Sequence, residues 1–439
     1  MVVKAAFFVA YTAKFVLLHG GVAMKVIPWA IVLAGGKGSR LPIAGSIPKQ
    51  FAPKYDGVTF AQDVIRMITS GAIKASRVIV VVTSDEQAKY AIEQLTPYHV
   101  PSPNIVKFNP YYGYVAVMAA AADYIRKIDP DPKAVAFITP SDSHIEGQEA
   151  LTHAIRVSCE AAYNGRPVLI GAKVTDANIV GGCGNALYDA STNGPFYKIL
   201  DFIEKPIRYG MDRVAQILRD DNTVVNTGLY AVRVERFCKA YPIEKLDAML
   251  ARFEEEKPIG KADLGLDPAE MVKKLNMRLM IGGFHWKDCG TLDAFYSIQL
   301  PTPNHHNASI GQVSRHLCLD SLFVSSTKGV HIFASNIKDK VAVLAYMRSE
   351  DELDIAVANM EMSQLVGQIT DFFDSHGEAM SCQIHAINNF VVPGNLAGII
   401  KVRVAFLGVQ NITVCTNRQD NSDIDVIVSA NGECVYNGD

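Results

Sequence analysis

A glycine-rich segment with nearby cations is the first feature that could do chemistry. Residues 33–41 read LAGGKGSRL, and PKQF follows at 48–51. Glycines directly after a buried strand let backbone N–H groups approach a polyphosphate closely. Lys37, Arg40 and Lys49 add three cations within thirteen residues, enough to neutralise a triphosphate or a departing pyrophosphate. The pattern is neither GxGxxG nor Walker A, because GKGSR lacks the GK[ST] ending.

Two other segments place charged side chains where strands are predicted to end. Asp142 stands in TPSDSHI (139–145), directly after an apolar run, and a carboxylate at a strand tip suits a hard cation such as Mg²⁺. Taken alone, Asp142 fits a helix cap or a turn equally well. Lys205 stands in FIEKP (202–206), where it offers either a fixed cation for a monophosphate or an exposed strand-end ion pair.

The motifs resemble those of a known family. LAGGKGSRL followed by PKQF resembles the sugar-1-phosphate nucleotidyltransferases, and PKQF points to the mannose-1-phosphate guanylyltransferase branch. In that family the glycine loop holds the nucleoside triphosphate, and the arginine and lysine of the motif bind its phosphates. The residues that the resemblance implies for nucleotide binding are Leu33, Ala34, Gly35, Gly36, Lys37, Gly38, Ser39, Arg40 and Lys49. Lys37 occupies a variable slot of the motif.

The resemblance also implies a sugar side and a metal site. FIEKP matches the family's FxEKP, whose Glu contacts sugar hydroxyls and whose Lys contacts the sugar phosphate. VNTGLY (225–230) looks like N-[ST]-G-[MLI]-[FY], whose Asn binds sugar hydroxyls, and WKDCGT (286–291) is similar to W-x-D-[VI]-G-[ST], whose Asp is a metal ligand. The expected sugar-phosphate residues are Gly182, Glu204, Lys205 and Asn226, the expected Mg²⁺ ligands are Asp142 and Asp288, and the expected catalytic residues are Arg40, Lys49 and Lys205.

Departures from the family pattern leave the choice of base and sugar open. NPYYGYVA (109–116) stands where the branch usually has a Gly-Arg-Asn-Thr-Ala type of sequence. GCG (182–184) replaces a Gly-Tyr-Gly element, and Pro42 stands alone where Trp-Pro is usual. Ser143 displaces His144 by one position from the aspartate, so no role is assigned to that histidine.

Composition excludes several classes of protein. The chain has 439 residues, with 42 Lys and Arg against 45 Asp and Glu, and a net charge of −3. This balance argues against bulk electrostatic binding of nucleic acid. The 8 cysteines form no CxxC pair, as is typical of reduced thiols in the cytoplasm. We expect a cytoplasmic protein with small-molecule partners, no nucleic acid, no membrane and a possible homo-oligomer.

The N-terminus needs separate treatment. Residues 5–18 are apolar but interrupted by Lys14, and they are too short to span a bilayer. Met24 precedes the first predicted strand, and the codons of Gly20 and Gly21 can read GGAGG, a ribosome-binding sequence. We therefore expect Met24 to be the start and 1–23 to be a translated leader. The alternatives are a signal or anchor segment and a genuine, disordered extension.

The elements that must position these motifs alternate regularly. Strand and helix patterns follow each other from residue 27 to residue 174, which indicates βαβ units with helices on both faces. In such sheets ligands bind beyond the carboxyl ends of the strands, so the polar tips after residues 33 and 139 should lie at one edge. Beyond about residue 300 the pattern changes to short strands, with one good helix pattern at 362–373.

The predicted fold is α/β. A Rossmann-like, mixed but mainly parallel nucleotidyltransferase domain over 24–300 precedes a smaller, mostly β accessory domain over 301–439. The predicted activity is transfer of a nucleotidyl group from a nucleoside triphosphate to a sugar 1-phosphate, with GTP and mannose 1-phosphate as the leading pair. The alternatives are another nucleotide or sugar phosphate, a non-catalytic regulatory homologue that binds NDP-sugars, and an unrelated dinucleotide-binding oxidoreductase, which the missing GxGxxG disfavours.

Overall fold

The computed structural model describes parts of the chain from residue 26 to residue 430. The described ranges are 26–36, 47–55, 58–108, 113–192, 194–248, 267–289, 295–296, 298, 308–310, 313–316, 318, 321–325, 330–335, 337, 341–349, 352–359, 390–391, 401–407, 412–418 and 424–430. The predicted leader over 1–23, the helix pattern over 362–373 and the loop residues Lys37, Gly38, Ser39 and Arg40 lie outside the described residues.

The strands, in chain order, are β1 Trp29–Leu33, β2 Pro53–Tyr55, β3 Val58–Thr59, β4 Val78–Val82, β5 Ile105–Lys107, β6 Val135–Pro140, β7 Ser143–Glu146, β8 Val168–Ala172, β9 Asn185–Tyr188, β10 Tyr197–Ile203, β11 Thr223–Arg233, β12 Arg278–Ile281, β13 His285–Asp288, β14 Ala308–Ile310, β15 Val313–His316, β16 Leu322–Ser325, β17 Val330–Ser335, β18 Val341–Ser349, β19 Glu352–Asn359, β20 Phe390–Val391, β21 Lys401–Leu407, β22 Thr413–Arg418 and β23 Ile424–Ser429. The α-helices are α1 Phe60–Thr69, α2 Asp85–Leu95, α3 Gly113–Ile128, α4 Gln148–Tyr163, α5 Ala177–Gly182, α6 Met211–Arg219, α7 Val234–Ala240 and α8 Pro268–Leu275. Among the described residues, no helix is both long and apolar enough to cross a bilayer.

A nine-stranded sheet has the order β5-β4-β1-β6-β11-β8-β12-β10-β9. The pairs β5–β4, β4–β1, β1–β6 and β8–β12 are parallel, whereas β11 and β10 run antiparallel to all of their neighbours. All strands of this sheet except β10 and β11 therefore point the same way, and the predicted mixed, mainly parallel sheet is confirmed.

Local sequence explains the first half of this sheet. The strand β4 is a VIVVV run buried along its whole length, as expected of a strand covered on both faces. Helix α2 begins after Ser84, whose side chain accepts a hydrogen bond from the backbone N–H of Gln87, so Ser84 is the N-cap of this helix. The alanine-rich helix α3 buries its small side chains in the same core as Ile31 and Ile138.

By its internal contacts the chain divides into two compact units. One comprises 1–35, 64–141 and 145–287, and the other comprises 36–63, 142–144 and 288–439. The nine-stranded sheet belongs to the first unit. The second contains Lys49, Asp142 and Asp288, so the chain brings three distant predicted site residues into one unit. The predicted boundary at 300 and 301 stays a prediction.

The strand-rich C-terminal region of the second unit is confirmed. It contains two five-stranded sheets, β14-β16-β18-β19-β21 and β15-β17-β23-β22-β20. Consecutive strands from β14 to β18 alternate between the two sheets, and neighbours within each sheet in this part are parallel. Antiparallel pairing occurs only at β18–β19 and β22–β23 among the described strands of these sheets. Apolar residues of both sheets, such as Val343 and Ile332, share one core.

Candidate active site

The start of the glycine loop leaves the sheet at a defined edge. Leu33 and Pro140, the last residues of β1 and β6, are paired neighbours in parallel strands. The two segments that follow them therefore leave the same edge of the sheet, as predicted. Ser141 reinforces this edge, because its hydroxyl donates a hydrogen bond of 2.8 Å to the carbonyl of Leu33.

Gly35 is held by close packing. Its carbonyl accepts a hydrogen bond of 2.8 Å from the hydroxyl of Thr83, and Gln87 donates a longer one of 3.4 Å. A Cβ atom at Gly35 would lie 2.5 Å from Cγ2 of Thr83, which no relaxed structure allows. The next residue, Gly36, accepts a hydrogen bond of 3.0 Å from the side-chain amide of Gln50, which ties the loop to the PKQF motif.

Lys49 lies in a short 3-10 turn, Lys49–Phe51, whose side chains are all buried. Its ammonium donates a hydrogen bond of 3.1 Å to Oδ2 of Asp142. The Lys49 side chain is 4% exposed, whereas the Asp142 side chain is 41% exposed. The ammonium also lies 5.4 Å from the ring centroid of Phe60. The ammonium of Lys49 is thus packed against an aromatic ring, while its carboxylate partner stays accessible to solvent.

Asp288 belongs to the same electrostatic cluster. It ends β13, which pairs with β7, the strand that begins directly after Asp142. Burial by itself lowers the pKa of Lys49, but the charges of Asp142 and Asp288 outweigh burial and hold that pKa above its ordinary value. One ammonium therefore interacts with both of the predicted metal ligands.

These residues fit a hard divalent cation. No group of three or more His, Cys, Asp or Glu side chains suited to a metal ion occurs among the described residues. Mg²⁺, however, is usually bound by one or two protein carboxylates together with substrate phosphates and waters. Asp142 and Asp288 supply that number of carboxylates, and the exposure of Asp142 leaves room for the remaining ligands.

The predicted sugar-side residues gather in the first unit. Glu204 packs directly on Gly184, where an added Cβ would lie 2.7 Å from Oε2 of the glutamate. This contact explains why the GCG segment ends in glycine. Burial raises the pKa of Glu204, although the neighbouring Lys205 lowers it. Gly182 is exposed at the end of α5, with open space where a side chain would stand.

Lys205 has an unusual backbone. Its φ of 46° and ψ of 68° lie in the left-handed region, which costs a residue with a Cβ about 1 kcal/mol or more. Its backbone N–H donates a hydrogen bond of 3.2 Å to the carbonyl of Cys183. The FIEKP and GCG segments are thus joined at the point where the lysine leaves its strand.

Asn226 is oriented at both ends of its amide. Its Nδ2 donates a hydrogen bond of 2.9 Å to the hydroxyl of Tyr230, and its Oδ1 accepts one of 3.0 Å from the backbone N–H of Gly228. Burial raises the pKa of Tyr230, and the charge of Glu204 raises it further. Tyr230 therefore stays a neutral phenol between two predicted sugar-binding residues.

The comparison with known families agrees with this geometry. A family model described as nucleotidyl transferase matches residues 29–304, which is more than half of the 439 residues. The chain belongs to the nucleotidyl transferase family. It is therefore classed as an enzyme, and the resemblance inferred from the sequence motifs is confirmed.

Relatives of this nucleotidyltransferase carry more specific names. A mannose-1-phosphate guanylyltransferase of Sinorhizobium fredii (strain NBRC 101917 / NGR234) is 24% identical over 362 residues, covering 79% of this chain and 67% of that protein. An alginate biosynthesis protein AlgA of Pseudomonas syringae pv. tomato is 24% identical over 345 residues, covering 71% and 69%. A solved structure described as a mannose-1-phosphate geranyltransferase from Thermus thermophilus shares the fold, with a TM-score of 0.57, 20% identity and coverage of 79% and 99%.

Three residues of this nucleotidyltransferase were not singled out from the sequence. Tyr230 was part of a motif, but nothing indicated that its hydroxyl bonds to Asn226. Lys54 and Asp63 form a buried ion pair of 2.6 Å. A lysine in a short strand and an aspartate in the first turn of a helix usually lie at the surface, so no sequence signal separates this pair from solvated charges.

Proposed function

We propose that this nucleotidyltransferase joins a nucleoside triphosphate to a sugar 1-phosphate and releases pyrophosphate, with GTP and mannose 1-phosphate as its substrates. The observation that carries the proposal is the buried ammonium of Lys49, which faces the carboxylates of Asp142 and Asp288. The name of the Sinorhizobium relative supports this pair of substrates. Two carboxylates that could hold a divalent cation, together with a lysine, suit a transfer between anionic phosphates.

The chemistry is a substitution at phosphorus. A phosphate oxygen of the sugar 1-phosphate attacks the α-phosphorus in line and forms the new P–O bond. The bond from the α-phosphorus to the oxygen bridging to the β-phosphorus breaks, and that oxygen keeps the electron pair as pyrophosphate leaves. Lys49 stabilises the charge that develops on the phosphates, and no side chain has to act as a nucleophile or move a proton.

Asp142 and Asp288 would hold the Mg²⁺ ion. When bound, the ion would supply a positive charge that reduces repulsion between the two anionic substrates. The buried ammonium of Lys49 interacts with these carboxylates and offsets part of their negative charge. Arg40 and the glycines of the loop are proposed to hold the triphosphate as well.

The first unit is proposed to bind the sugar 1-phosphate. Lys205, fixed in its left-handed conformation, supplies the cation for the monophosphate. Glu204 and Asn226 supply hydrogen-bond acceptors and donors for sugar hydroxyls. A neutral Tyr230 keeps the amide of Asn226 oriented, so hydroxyl recognition starts from a preorganised amide.

A different sugar phosphate is the second candidate, favoured by one observation. Cys183 occupies the place of the tyrosine in the family's Gly-Tyr-Gly element, and its smaller side chain would present a different surface to the sugar. Pyrophosphate release should therefore be measured with ATP, GTP, CTP and UTP, each combined with mannose, glucose and galactose 1-phosphates. The highest kcat/KM with GTP and mannose 1-phosphate is the expected result.

Other outcomes of this panel have distinct meanings. A preference for another pair would change the proposed substrates but leave the proposed reaction unchanged. If no pair releases pyrophosphate but calorimetry shows that the protein binds an NDP-sugar, the protein would instead be a non-catalytic homologue that binds NDP-sugars. The Lys49→Ala variant provides the background rate, since it removes the cation that the mechanism needs.

A further inference from the structure

Lys54 and Asp63 form an ion pair inside the second unit. The two charged atoms are 2.6 Å apart, and the side chains are 0% and 4% exposed. Removing two charges from water costs several kcal/mol per ion in proteins, and apolar side chains of similar size often give equal or higher stability. A fully buried pair in this place therefore calls for an explanation other than stability.

Lys54 lies next to the chain segment that carries Asp142, one of the two proposed metal ligands. Its Nζ lies 3.5 Å from the backbone carbonyl oxygen of Ser143, the residue that directly follows Asp142. It also lies 5.6 Å from the ring centroid of Phe60, the ring that Lys49 contacts at 5.4 Å. The two ammonium groups thus share one aromatic ring, and each contacts the Asp142–Ser143 segment.

We propose that the Lys54–Asp63 pair is a positioning pair for the metal site: Asp63 fixes the ammonium of Lys54, and Lys54 holds the Ser143 carbonyl so that Asp142 keeps its place beside Asp288. The inference rests on the proposed function, because it takes Asp142 and Asp288 to be the Mg²⁺ ligands. Both side chains are buried, so the proposal gives neither of them a contact with substrate. Groups that orient metal ligands typically change metal affinity by about 10- to 100-fold when they are lost.

The test separates positioning from folding stability. In Lys54→Met, Asp63 loses the ammonium that offsets its buried charge, so the thermal unfolding midpoint should fall sharply. In Lys54→Met/Asp63→Leu both buried charges are gone, and the midpoint should return close to that of the wild type. We expect the Kd for Mn²⁺, measured by electron paramagnetic resonance on the full chain, to stay about tenfold higher in this double variant.

Matched controls and opposing outcomes make the inference falsifiable. Lys107→Met/Asp85→Leu removes an ion pair of the same 2.6 Å length that is 50% and 90% exposed, and its Mn²⁺ affinity should equal that of the wild type. Wild-type Mn²⁺ affinity in the Lys54→Met/Asp63→Leu variant would overturn the positioning role. If that variant does not fold, Asp63→Asn, which keeps the shape and an acceptor for Lys54, should weaken Mn²⁺ binding about threefold, and unchanged binding would overturn the role.

Failure of the proposed function gives a different result. If the wild-type protein neither binds Mn²⁺ nor releases pyrophosphate, the assignment of the metal site is wrong, and the positioning role of Lys54 and Asp63 is wrong with it. A wild-type protein that binds Mn²⁺ and turns over, with variants that do so equally well, would contradict the positioning role alone.

Discussion

The Nζ atom of Lys49 lies 3.1 Å from Oδ2 of Asp142, although 93 residues separate the two in the chain. The lysine is buried and the aspartate is half exposed. Asp288 acts on the same ammonium. One buried ammonium that interacts with two carboxylates is the feature on which the proposed phosphate chemistry depends.

Replacement of Lys49 tests that feature directly. We expect Lys49→Met to lower kcat/KM for pyrophosphate release by about 10²- to 10³-fold, because one charged contact to a transferring phosphate is lost in a water-poor site. The same loss is expected for Arg40→Ala. Lys89→Met, at an exposed position of α2, is the control and should retain wild-type kinetics. Near-normal kcat/KM in Lys49→Met would contradict the assignment.

The two carboxylates should be tested through their metal dependence. Asp142→Asn and Asp288→Asn keep the shape and an oxygen ligand but remove a charge, so Mg²⁺ should bind more weakly. We expect the Mg²⁺ concentration for half-maximal pyrophosphate release to rise at least about tenfold, with partial rescue at high Mg²⁺. Asp85→Asn, whose side chain is 90% exposed, should leave it unchanged. An unaltered Mg²⁺ profile in both site variants would remove the metal assignment.

Lys205 is predicted to serve the sugar phosphate. In Lys205→Ala the KM for mannose 1-phosphate should rise about tenfold or more, because a charge-assisted hydrogen bond to the monophosphate is lost. The affinity for GTP, titrated without sugar phosphate, should stay close to that of the wild type. Lys198→Ala, exposed on β10, controls for the loss of a nearby charge. A large loss of GTP affinity would show that Lys205 binds the nucleotide and not the sugar phosphate.

Tyr230 is predicted to position Asn226. Tyr230→Phe keeps the buried ring and deletes only the hydroxyl that accepts the hydrogen bond from Asn226. We expect KM for the sugar phosphate to rise about three- to tenfold, the effect of one hydrogen bond of about 1 kcal/mol, with kcat nearly constant. Tyr241→Phe, directly after α7, removes another buried tyrosine hydroxyl and should leave KM unchanged. Equal effects of both substitutions would indicate a structural role only.

Acid stability should depend on Asp129. Burial raises the pKa of this carboxyl, but a hydrogen bond of 2.7 Å from the indole of Trp29 and the charge of Arg77 outweigh burial and hold the pKa below its ordinary value. A carboxyl with a depressed pKa stabilises the fold above its unfolded value of about 3.9 and loses that contribution as pH falls through the folded value.

The measurement compares wild type with Asp129→Asn in urea unfolding at several pH values. The variant should be less stable by about 1–2 kcal/mol at pH 7, and the difference should shrink below about pH 4. A constant difference down to about pH 2 would show that the ionisation of Asp129 contributes nothing.

The sequence determined the order of elements and the family of the protein by itself. The alternating strand and helix patterns between residues 27 and 174 predicted an α/β fold, because such patterns depend on local burial and on hydrogen bonds between near neighbours. The motifs containing Gly35, Lys49 and Lys205 carried the resemblance to the nucleotidyltransferases, because a glycine loop and spaced cations are recognised from residue types and spacing alone.

Only the tertiary structure decided which of these residues act together. Lys49 bonds to Asp142 and its ammonium is also influenced by the charge of Asp288, because separate strands and a turn converge. No periodic pattern encodes an interaction between residues so far apart. The burial of Lys54 with Asp63 could not be predicted from the sequence for the same reason. A charged side chain in a short strand is solvated unless distant segments of the chain cover it. Local interactions therefore determine the elements, while long-range packing determines which charged side chains are buried, how Asn226 is oriented and what surrounds the predicted metal ligands.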